Sequence, residues 1–313
     1  MNTFMFPGQG SQKIEMGKDF YENFSVAKNI FEEVDDSLKT KLSSLIFSGE
    51  IKDLSLTFNA QPALMTVSIA ILKVLEREFG YTLDKMSSYV CGHSLGEFTA
   101  LCASGVIKLS DTAKLLRIRG KAMQDAVSEE DGAMAALISK DFSKLNELLF
   151  EVKKYGVCEI ANHNSADQIV VSGDKIAVNE LIKLSSKYLI KRSVLLNVSA
   201  PFHCSLMQPA QKKLKEALIE VNFDTSMIPV ICNFTAQPEI KAEKLKENII
   251  SQVTKKVKWK ETMDFIKKNN VENVIECGSG KVLSGLFKRY SDSVNVYNVE
   301  NVSDLKIIQN VFS

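Results

Sequence analysis

The sequence has little of several residue types that build recognisable sites. Only three histidines and one tryptophan occur in 313 residues, and the six cysteines are scattered without any C-x-x-C pair. This spacing argues against a zinc site or a disulfide framework, and it is typical of reduced thiols in the cytosol. We therefore expect neither a metal site nor a cofactor.

The chain also lacks an excess of charge of one sign. Its 39 Lys and Arg residues nearly balance 38 Asp and Glu residues, which leaves a formal net charge of +1. A near-neutral chain argues against a nucleic-acid-binding protein, whose surface must neutralise phosphates. Lysine is concentrated locally in the second half, so partners have to be inferred from patches.

Long hydrophobic runs and targeting signals are missing as well. No apolar run approaches the roughly 20 residues of a membrane span, and Met1 to Phe6 lead directly into a Pro-Gly turn without a charged or Arg-rich leader. We expect a cytoplasmic monomer without a membrane partner. With 45% hydrophobic residues, the chain is long enough for one large core and a smaller second one.

The most informative stretch that is present is Gly92-His-Ser-Leu-Gly96, a Gly-x-Ser-x-Gly motif centred on Ser94. It follows a strand-like run, Ser87 to Val90, and precedes a helix-like run, Glu97 to Ala103. A nucleophilic serine on a sharp strand-to-helix turn needs small neighbours, and the free N–H groups at the helix start favour negative charge beside it. The motif in this context predicts a serine nucleophile.

A serine nucleophile needs a base, and the only histidines are His93, His163 and His203. His93 adjoins the serine at a tight turn, so we expect its side chain to point away from the hydroxyl. His203 follows the last strand of a predicted insert, where the chain crosses back beside a cleft. Its position makes it the best candidate, with a purely structural histidine as the alternative.

Arg119 falls on the apolar face of a helix predicted from an N-cap at Ser110 to about Val127. A guanidinium in that place is unfavourable unless an anion meets it, and its planar fork suits a carboxylate. The spacing leaves two partners open, an internal Asp or Glu and a substrate carboxylate. We expect the neighbouring Arg117 to be solvated.

The periodicity divides the chain into an α/β part and an insert. Within the α/β part it predicts strands over 3–6, 230–233, 273–277 and 294–299, and helices over 25–38, 59–79, 204–221, 245–254, 259–268 and 280–290. We expect the helix over 59–79 to pack against the strand that leads to Ser94. Within the insert the order is β-α-β-β-α-β, over 133–138, 142–155, 157–161, 168–171, 174–189 and 193–198.

That order is typical of ferredoxin-like folds, and it predicts a catalytic core of residues 1–128 and 199–313 with an inserted subdomain of residues 129–198. The hairpin of the insert carries Asn162-His-Asn-Ser165. These polar side chains either line a cleft between the domains or cap a turn.

Two glycine-containing loops are poor matches to nucleotide-binding motifs. Pro7-Gly-Gln-Gly10 lacks the third glycine of a dinucleotide fingerprint, and is either a simple turn or a close approach of the backbone to a ligand. The stretch Glu276 to Lys281 lacks the first glycine and the Ser or Thr of a phosphate loop, because Ile275 and Val282 stand there.

Over essentially its whole length the chain resembles the malonyl-CoA:acyl-carrier-protein transacylases of type II fatty-acid synthesis. The matching stretches are Phe6-Pro-Gly-Gln-Gly-Ser-Gln12, Gln61-Pro-Ala-Leu64, Gly92-His-Ser-Leu-Gly-Glu97, Arg119-Gly-Lys-Ala-Met-Gln124, Ala161-Asn-His-Asn-Ser165, Ala200-Pro-Phe-His203 and Gly278-Ser-Gly-Lys-Val-Leu283. The resemblance implies an α/β-hydrolase-like core with a parallel sheet, a ferredoxin-like α+β insert, and malonyl transfer from malonyl-CoA to acyl carrier protein.

The resemblance also implies roles for individual residues. Ser94 is the expected acylated nucleophile, His203 its base, and the backbone N–H groups of Gln9 and Leu95 the oxyanion hole. Gln252 aligns with a glutamine whose backbone carbonyl orients the histidine in place of an aspartate.

Substrate contacts are expected from Arg119, which grips the malonyl carboxylate, and from Gln61, Asn162 and Asn164. Phe202 is expected to limit bulk at the α-carbon and so to disfavour methylmalonyl. His163 stands where the family often has an apolar or aromatic residue, and its role is open.

Two other functions fit parts of the pattern. A serine esterase or thioesterase shares Gly-x-Ser-x-Gly, but its histidine usually lies late in the chain after an acidic residue, and an apolar-face Arg119 suits a dicarboxylate half-ester better. An interaction module with a degenerate site is disfavoured by the intact serine and histidine. Six basic residues are candidates for docking the acidic carrier or simply a solvated face: Lys255, Lys256, Lys258, Lys281, Lys288 and Arg289.

Overall fold

A computed structural model describes residues 1–128 and 130–312. The strands in this part of the chain are β1 (Asn2–Phe6), β2 (Tyr89–Gly92), β3 (Gly132–Ile138), β4 (Cys158–Ser165), β5 (Gln168–Asp174), β6 (Arg192–Leu195), β7 (Val230–Ile231), β8 (Pro238–Glu239), β9 (Asn273–Cys277) and β10 (Asn295–Val299). The helices are α1 (Lys18–Asn23), α2 (Ser25–Leu38), α3 (Leu42–Ser48), α4 (Ile51–Leu54), α5 (Thr57–Phe79), α6 (Leu83–Met86), α7 (Leu95–Ala103), α8 (Leu109–Asp125), α9 (Leu145–Val152), α10 (Lys175–Leu184), α11 (Gln208–Ala217), α12 (Ala242–Gln252), α13 (Trp259–Lys268), α14 (Val282–Tyr290) and α15 (Leu305–Phe312).

The larger sheet is parallel and covered on both faces. Its order is β10-β9-β1-β2-β7-β8, and only β8, at the edge, is antiparallel to its neighbour. Alternate residues of β1 enter different hydrophobic clusters: Phe4 and Phe6 enter one, and Met5 the other. The strands of such a sheet have continuous apolar sequences, because neither face of the sheet is exposed to water. The predicted α/β class with a parallel sheet is confirmed.

The smaller sheet is fully antiparallel, in the order β4-β5-β3-β6. Helices α9 and α10 pack on it, over a separate hydrophobic cluster that includes Leu137, Leu148 and Val171. This is the ferredoxin-like order predicted from the sequence. The exact division at residues 129 and 198 stays a prediction, and Glu129 and Ser313 lie outside the described residues.

Helix α5 is the long central helix of the core. It ends at Gly80, which takes φ of 69°, as expected of a glycine that closes a helix. It packs chiefly against α2, α7 and α8. The prediction that α5 packs mainly against β2, the strand that leads to Ser94, was therefore wrong, because the main contact is with α7, the helix that follows Ser94. The expectation that no run reaches membrane length was wrong, because α5 is long and apolar enough; 89% of its most apolar window is buried inside the protein.

Several predicted boundaries were wrong. Helix α8 starts at Leu109 without a side-chain cap, so Ser110 is not its N-cap. Strand β4 extends to Ser165, which places Asn162 and Asn164 in a strand and not in a turn. The predicted helix over 204–221 reduces to α11 between short 3₁₀ turns, and Gln252 is the last residue of α12.

Helices α8 and α5 approach each other unusually closely at Gly120. A Cβ at this position would lie 2.6 Å from the Cα of Phe58 and from the carbonyl oxygen of Thr57, so only glycine fits. Because Arg119 precedes this contact, the close approach brings its guanidinium to Gln61 on α5.

Candidate active site

Ser94 lies on a strained turn between β2 and α7. Its backbone has φ of 54° and ψ of −106°, which a non-glycine residue adopts only where the surroundings impose it. A Cβ on Gly92 would lie 2.1 Å from the carbonyl oxygen of Gly96, and a Cβ on Gly96 would lie 2.2 Å from that of Phe6. Both glycines of the motif are therefore required for the turn to close.

The Ser94 hydroxyl is hydrogen-bonded to a histidine. Its Oγ lies 2.8 Å from Nε2 of His203, and Nδ1 of His203 lies 2.8 Å from the backbone carbonyl oxygen of Gln252. The carbonyl can only accept, so Nδ1 carries the proton and Nε2 is free to accept the serine proton. The Gln252 carbonyl is available because α12 ends there, and the last carbonyls of a helix have no partner within it.

His203 is neutral in this site. Burial, together with the nearby Arg119 charge, lowers the pKa of His203 to about 3, and only 4% of the residue is exposed. A neutral imidazole with a free Nε2 is the form that can accept a proton from serine.

Arg119 is a buried cation that forms no direct ion pair with a described Asp or Glu. It is 1% exposed, and burial lowers the pKa of Arg119 to about 10, so it stays charged at neutral pH. Its Nη1 donates to Gln61 Oε1 at 2.7 Å, and its Nη2 donates to Ser94 Oγ at 3.0 Å and to Gln252 Oε1 at 2.9 Å. No Asp or Glu of residues 1–128 or 130–312 forms an ion pair with it. Of the two partners left open by the sequence, the internal salt bridge is absent.

Two backbone N–H groups beside the serine have no acceptor. Neither Gln9 N–H nor Leu95 N–H donates a hydrogen bond to another described residue, whereas the Ser94 N–H donates to Asn233 Oδ1 at 2.7 Å. Free N–H groups at a helix start stabilise developing negative charge. The geometry leaves Gln9 and Leu95 available as oxyanion donors.

A cavity of about 830 Å³ opens over Ser94, between the smaller sheet and the loops and helices that follow strands of the larger sheet. The predicted substrate residues Gln61, Asn162, Asn164 and Phe202 all line it. Asn162 and Asn164 both face the cavity although the pairing of β4 with β5 shifts register on either side of the Asn162–His163 pair, and His163 does not line the cavity. The side chain of His163 therefore points the other way.

His163 contacts Glu261 on α13 through Nδ1, at 3.0 Å. Burial acts to raise the pKa of Glu261, but His163 and Lys256 hold it at about 2. His163 thus forms a hydrogen bond between β4 and α13, away from the serine.

His93 lines the cavity, but it does not contact the serine hydroxyl. Its Nε2 donates to Asn164 Oδ1 at 3.0 Å, and its ring lies 5.5 Å from that of Trp259. Of the three histidines, only His203 reaches Ser94.

The six basic residues singled out in the sequence do not form one uniform surface. Lys281 and Arg289 line the cavity, and Lys288 is exposed beside Arg289 on α14. Lys256 is half-buried beside Glu261, Lys258 lies over the Phe234 ring, and Lys255 is exposed. Arg117, expected to be solvated, is partly buried and donates to Asn59 Oδ1 at 2.7 Å.

Two residues of this site were given no role from the sequence. Asn233 lies two residues after the end of β7, and its Nδ2 donates to the Gly92 carbonyl oxygen at 2.7 Å. Glu97, in the serine motif, is fully buried, and its Oε2 accepts from the Asn233 backbone N–H and from Gln252 Nε2. A polar residue at the carboxyl end of a strand next to β2 was the available signal for Asn233.

Comparisons with known proteins agree with this arrangement. Residues 3–306 match the family described as acyl transferase domain. A malonyl CoA-acyl carrier protein transacylase of Bacillus subtilis (strain 168) is 41% identical over 306 residues, covering 97% of this chain and 95% of the relative.

Solved structures are similar throughout. The acyl-carrier-protein-S-malonyltransferase of Bartonella henselae superposes with a TM-score of 0.96 at 46% identity, covering 99% of each chain. A malonyl-transacylase in complex with a type II PKS acyl-carrier protein gives 0.94 at 35% identity, again covering 99% of each chain. With the family model matching nearly the whole chain, this protein belongs to the acyl transferase domain family.

Proposed function

We propose that this enzyme transfers a malonyl group from malonyl-CoA to the phosphopantetheine thiol of acyl carrier protein, in fatty-acid biosynthesis. The observation that carries the proposal is the buried Arg119 guanidinium, which lies 3.0 Å from the Ser94 hydroxyl and directly contacts no carboxylate of the described residues. A guanidinium in that position can bind an anionic group of the acyl chain beside the nucleophile. An acyl group that ends in a carboxylate supplies the anion, and the names of the relatives state the same activity.

The first half-reaction forms a malonyl-serine ester. His203 Nε2 accepts the Ser94 proton as Oγ attacks the thioester carbonyl, and the N–H groups of Gln9 and Leu95 stabilise the oxyanion. The tetrahedral intermediate collapses, the C–S bond breaks, and His203 returns its proton to the departing CoA sulfur. Each oxyanion donor contributes roughly 10²–10³ to the rate in sites of this kind.

The second half-reaction reverses these roles with a different thiol. His203 accepts the proton of the carrier phosphopantetheine thiol, the sulfur attacks the malonyl-serine carbonyl, and Ser94 leaves with the proton returned by His203. The Gln252 carbonyl keeps the imidazole in the required tautomer through both halves. A neutral backbone carbonyl thus orients the histidine here, whereas many serine enzymes use an aspartate for this purpose.

The acyl site is proposed to contain Arg119, Gln61 and Phe202. The guanidinium fork binds the malonyl carboxylate bidentately, a geometry for which Arg is better suited than Lys. Gln61 orients the guanidinium through Nη1, and Phe202 limits space at the α-carbon. A serine esterase has no need of a buried cation beside its nucleophile, so hydrolysis of plain acyl esters is the weaker proposal.

The remaining features of the proposal concern partners and surroundings. Asn162 and Asn164 are proposed to bind the pantetheine arm, and Lys281, Lys288 and Arg289 at the mouth of the cavity to attract the acidic carrier. We further propose a cytoplasmic monomer without nucleic-acid or membrane partners. The insert of residues 129–198 is proposed to supply one wall of the substrate cleft.

Transfer of labelled malonyl from CoA to holo acyl carrier protein tests the proposal directly. In addition, the intact mass after incubation with malonyl-CoA should show one malonyl adduct for the wild type and for Ser37→Ala, a serine on α2, and none for Ser94→Ala. An adduct on Ser94→Ala would refute the nucleophile. Release of CoA without transfer would indicate a hydrolase, and no reaction at all would indicate a binding module.

A further inference from the structure

Glu97 and Arg119 are buried charges of opposite sign that are joined through one amide. Gln252 Oε1 accepts from Arg119 Nη2 at 2.9 Å, while Gln252 Nε2 donates to Glu97 Oε2 at 2.7 Å. Glu97 is fully buried and Arg119 is 1% exposed. The amide thus presents its carbonyl to the cation and its N–H group to the anion, which links the two charges without direct contact.

The other titratable groups around Glu97 carry no charge. Burial raises the pKa of the Cys91 and Cys232 thiols, so both hold their protons, and His203 is neutral. Above the pKa of Glu97, the buried cluster without substrate therefore contains one cation and one anion. A malonyl carboxylate bound to Arg119 would add a second anion in a site shielded from water, where an uncompensated charge is strongly unfavourable.

Glu97 is built to accept a proton without losing its contacts. Its Oε2 accepts two hydrogen bonds, from Gln252 Nε2 and from the Asn233 N–H at 3.1 Å. Its Oε1 is buried and accepts none from the described residues. A proton on Oε1 would leave both hydrogen bonds to Oε2 in place and would remove the buried negative charge. The Cys232 thiol, which interacts with the carboxylate, also has the Val230 carbonyl oxygen as an acceptor.

We propose, on the basis of the malonyl transfer proposed above, that Glu97 is the internal counter-ion of Arg119 and takes up one proton when a malonyl carboxylate binds to Arg119. The proton comes from solvent and forms an O–H bond at Oε1. It is released again when the malonyl group leaves on the carrier. Burial raises the pKa of Glu97 to about 7, so the carboxylate is easily protonated near neutral pH.

The sign of the pH dependence follows from linkage. Above the pKa of the free enzyme, binding of the malonyl carboxylate requires a proton, so affinity rises as pH falls, by up to about tenfold per pH unit. Below that pKa, Glu97 already holds the proton and the affinity levels off. CoA alone has no carboxylate to place on Arg119, and its affinity should lack this slope.

The experiment uses Ser94→Ala, which binds malonyl-CoA without reacting. Calorimetric titrations in two buffers of different ionisation enthalpy, near pH 8, give the number of protons taken up for malonyl-CoA and for CoA. We expect a greater uptake for malonyl-CoA than for CoA, with the difference lost in Ser94→Ala/Glu97→Gln. Glu276→Gln on the same background is the matched control. Glu276, on β9, is also buried, but its carboxylate accepts hydrogen bonds from two backbone N–H groups of α14 and does not contact Gln252.

Each result decides something. If the extra proton uptake persisted in Ser94→Ala/Glu97→Gln, the proton would have to bind to another group, such as His203, and the proposal would be overturned. Equal pH slopes for malonyl-CoA and CoA on Ser94→Ala alone would overturn it too, without any change at Glu97. Failure of malonyl-CoA to bind more tightly than CoA at any pH would instead count against the proposed function itself.

Discussion

Asn233 clamps the backbone of Ser94 from both sides. Its Oδ1 accepts from the Ser94 N–H, and its Nδ2 donates to the carbonyl of Gly92, each at 2.7 Å. The strained turn therefore depends on a side chain 139 residues away. The clamp also keeps the Ser94 N–H out of the oxyanion hole.

Removing this clamp should impair catalysis more than binding. In Asn233→Ala two buried backbone groups lose their partners, at about 1–3 kcal/mol for each, and Ser94 is free to leave its strained conformation. We expect a lower kcat for malonyl transfer with a nearly unchanged KM for malonyl-CoA, and a lower melting temperature. Asn222→Ala is the surface control. An unchanged kcat in a destabilised Asn233→Ala protein would show that the clamp supports folding only.

His203→Ala should depress both half-reactions by roughly 10²–10⁴, the usual contribution of general acid–base catalysis. His163→Ala should have little effect on the rate, because His163 pairs with Glu261 and does not reach the serine. Rapid-quench measurement of acylation and of transfer to the carrier separates the two steps. A larger loss in His163→Ala would mean that the base is misassigned.

The lowered pKa of His203 also predicts how stability depends on pH. His203 is neutral when folded down to about pH 3, but the unfolded chain binds a proton there below about pH 6.5. Protonation of His203 in the unfolded chain therefore does not lower the free energy of unfolding above about pH 6.5, and lowers it progressively as pH falls toward 3. His203→Gln should lose less stability than wild type between these limits in urea denaturation. Parallel acid dependence in both proteins would contradict the pKa shift.

Arg119→Ala should lose malonyl transfer and gain relative activity with acetyl-CoA. The malonyl carboxylate would then be buried without its cation, which costs several kcal/mol. Arg119→Lys should be a poor substitute, because an ammonium group cannot bind a carboxylate as a planar fork. The measurement is a competition among malonyl-, methylmalonyl- and acetyl-CoA. If Arg119→Ala kept the wild-type preference for malonyl, the guanidinium would be structural only.

Charge reversal at the mouth of the cavity should separate the two substrates. Lys288→Glu should raise the apparent KM for carrier protein and spare that for malonyl-CoA, because rim charges chiefly set association rates. Arg289→Glu should affect both, since Arg289 lines the cavity. Lys212→Glu/Lys213→Glu, on an exposed part of α11, is the control. No change in the carrier KM for Lys288→Glu would eliminate this surface.

Local patterns in the sequence were enough to predict much of the fold. Helices α2 and α13 and strand β9 begin and end where the apolar periodicity predicted, because that pattern records which side of each element is buried. The serine turn was predictable too, since the glycines that let it close lie two residues on either side of Ser94. The α/β class followed from the order of these elements.

The partners of Ser94 depend on contacts between distant parts of the chain. His203, Gln252 and Asn233 reach it over 109, 158 and 139 residues, and no local periodicity encodes which of them arrive. The sequence alone left Arg119 with two possible partners, and only the packing of α8 on α5 showed that no carboxylate of the described chain meets it. Parallel strands bring residues together at one edge of the sheet by long crossovers, so the tertiary structure decided the site's hydrogen bonds and charge balance.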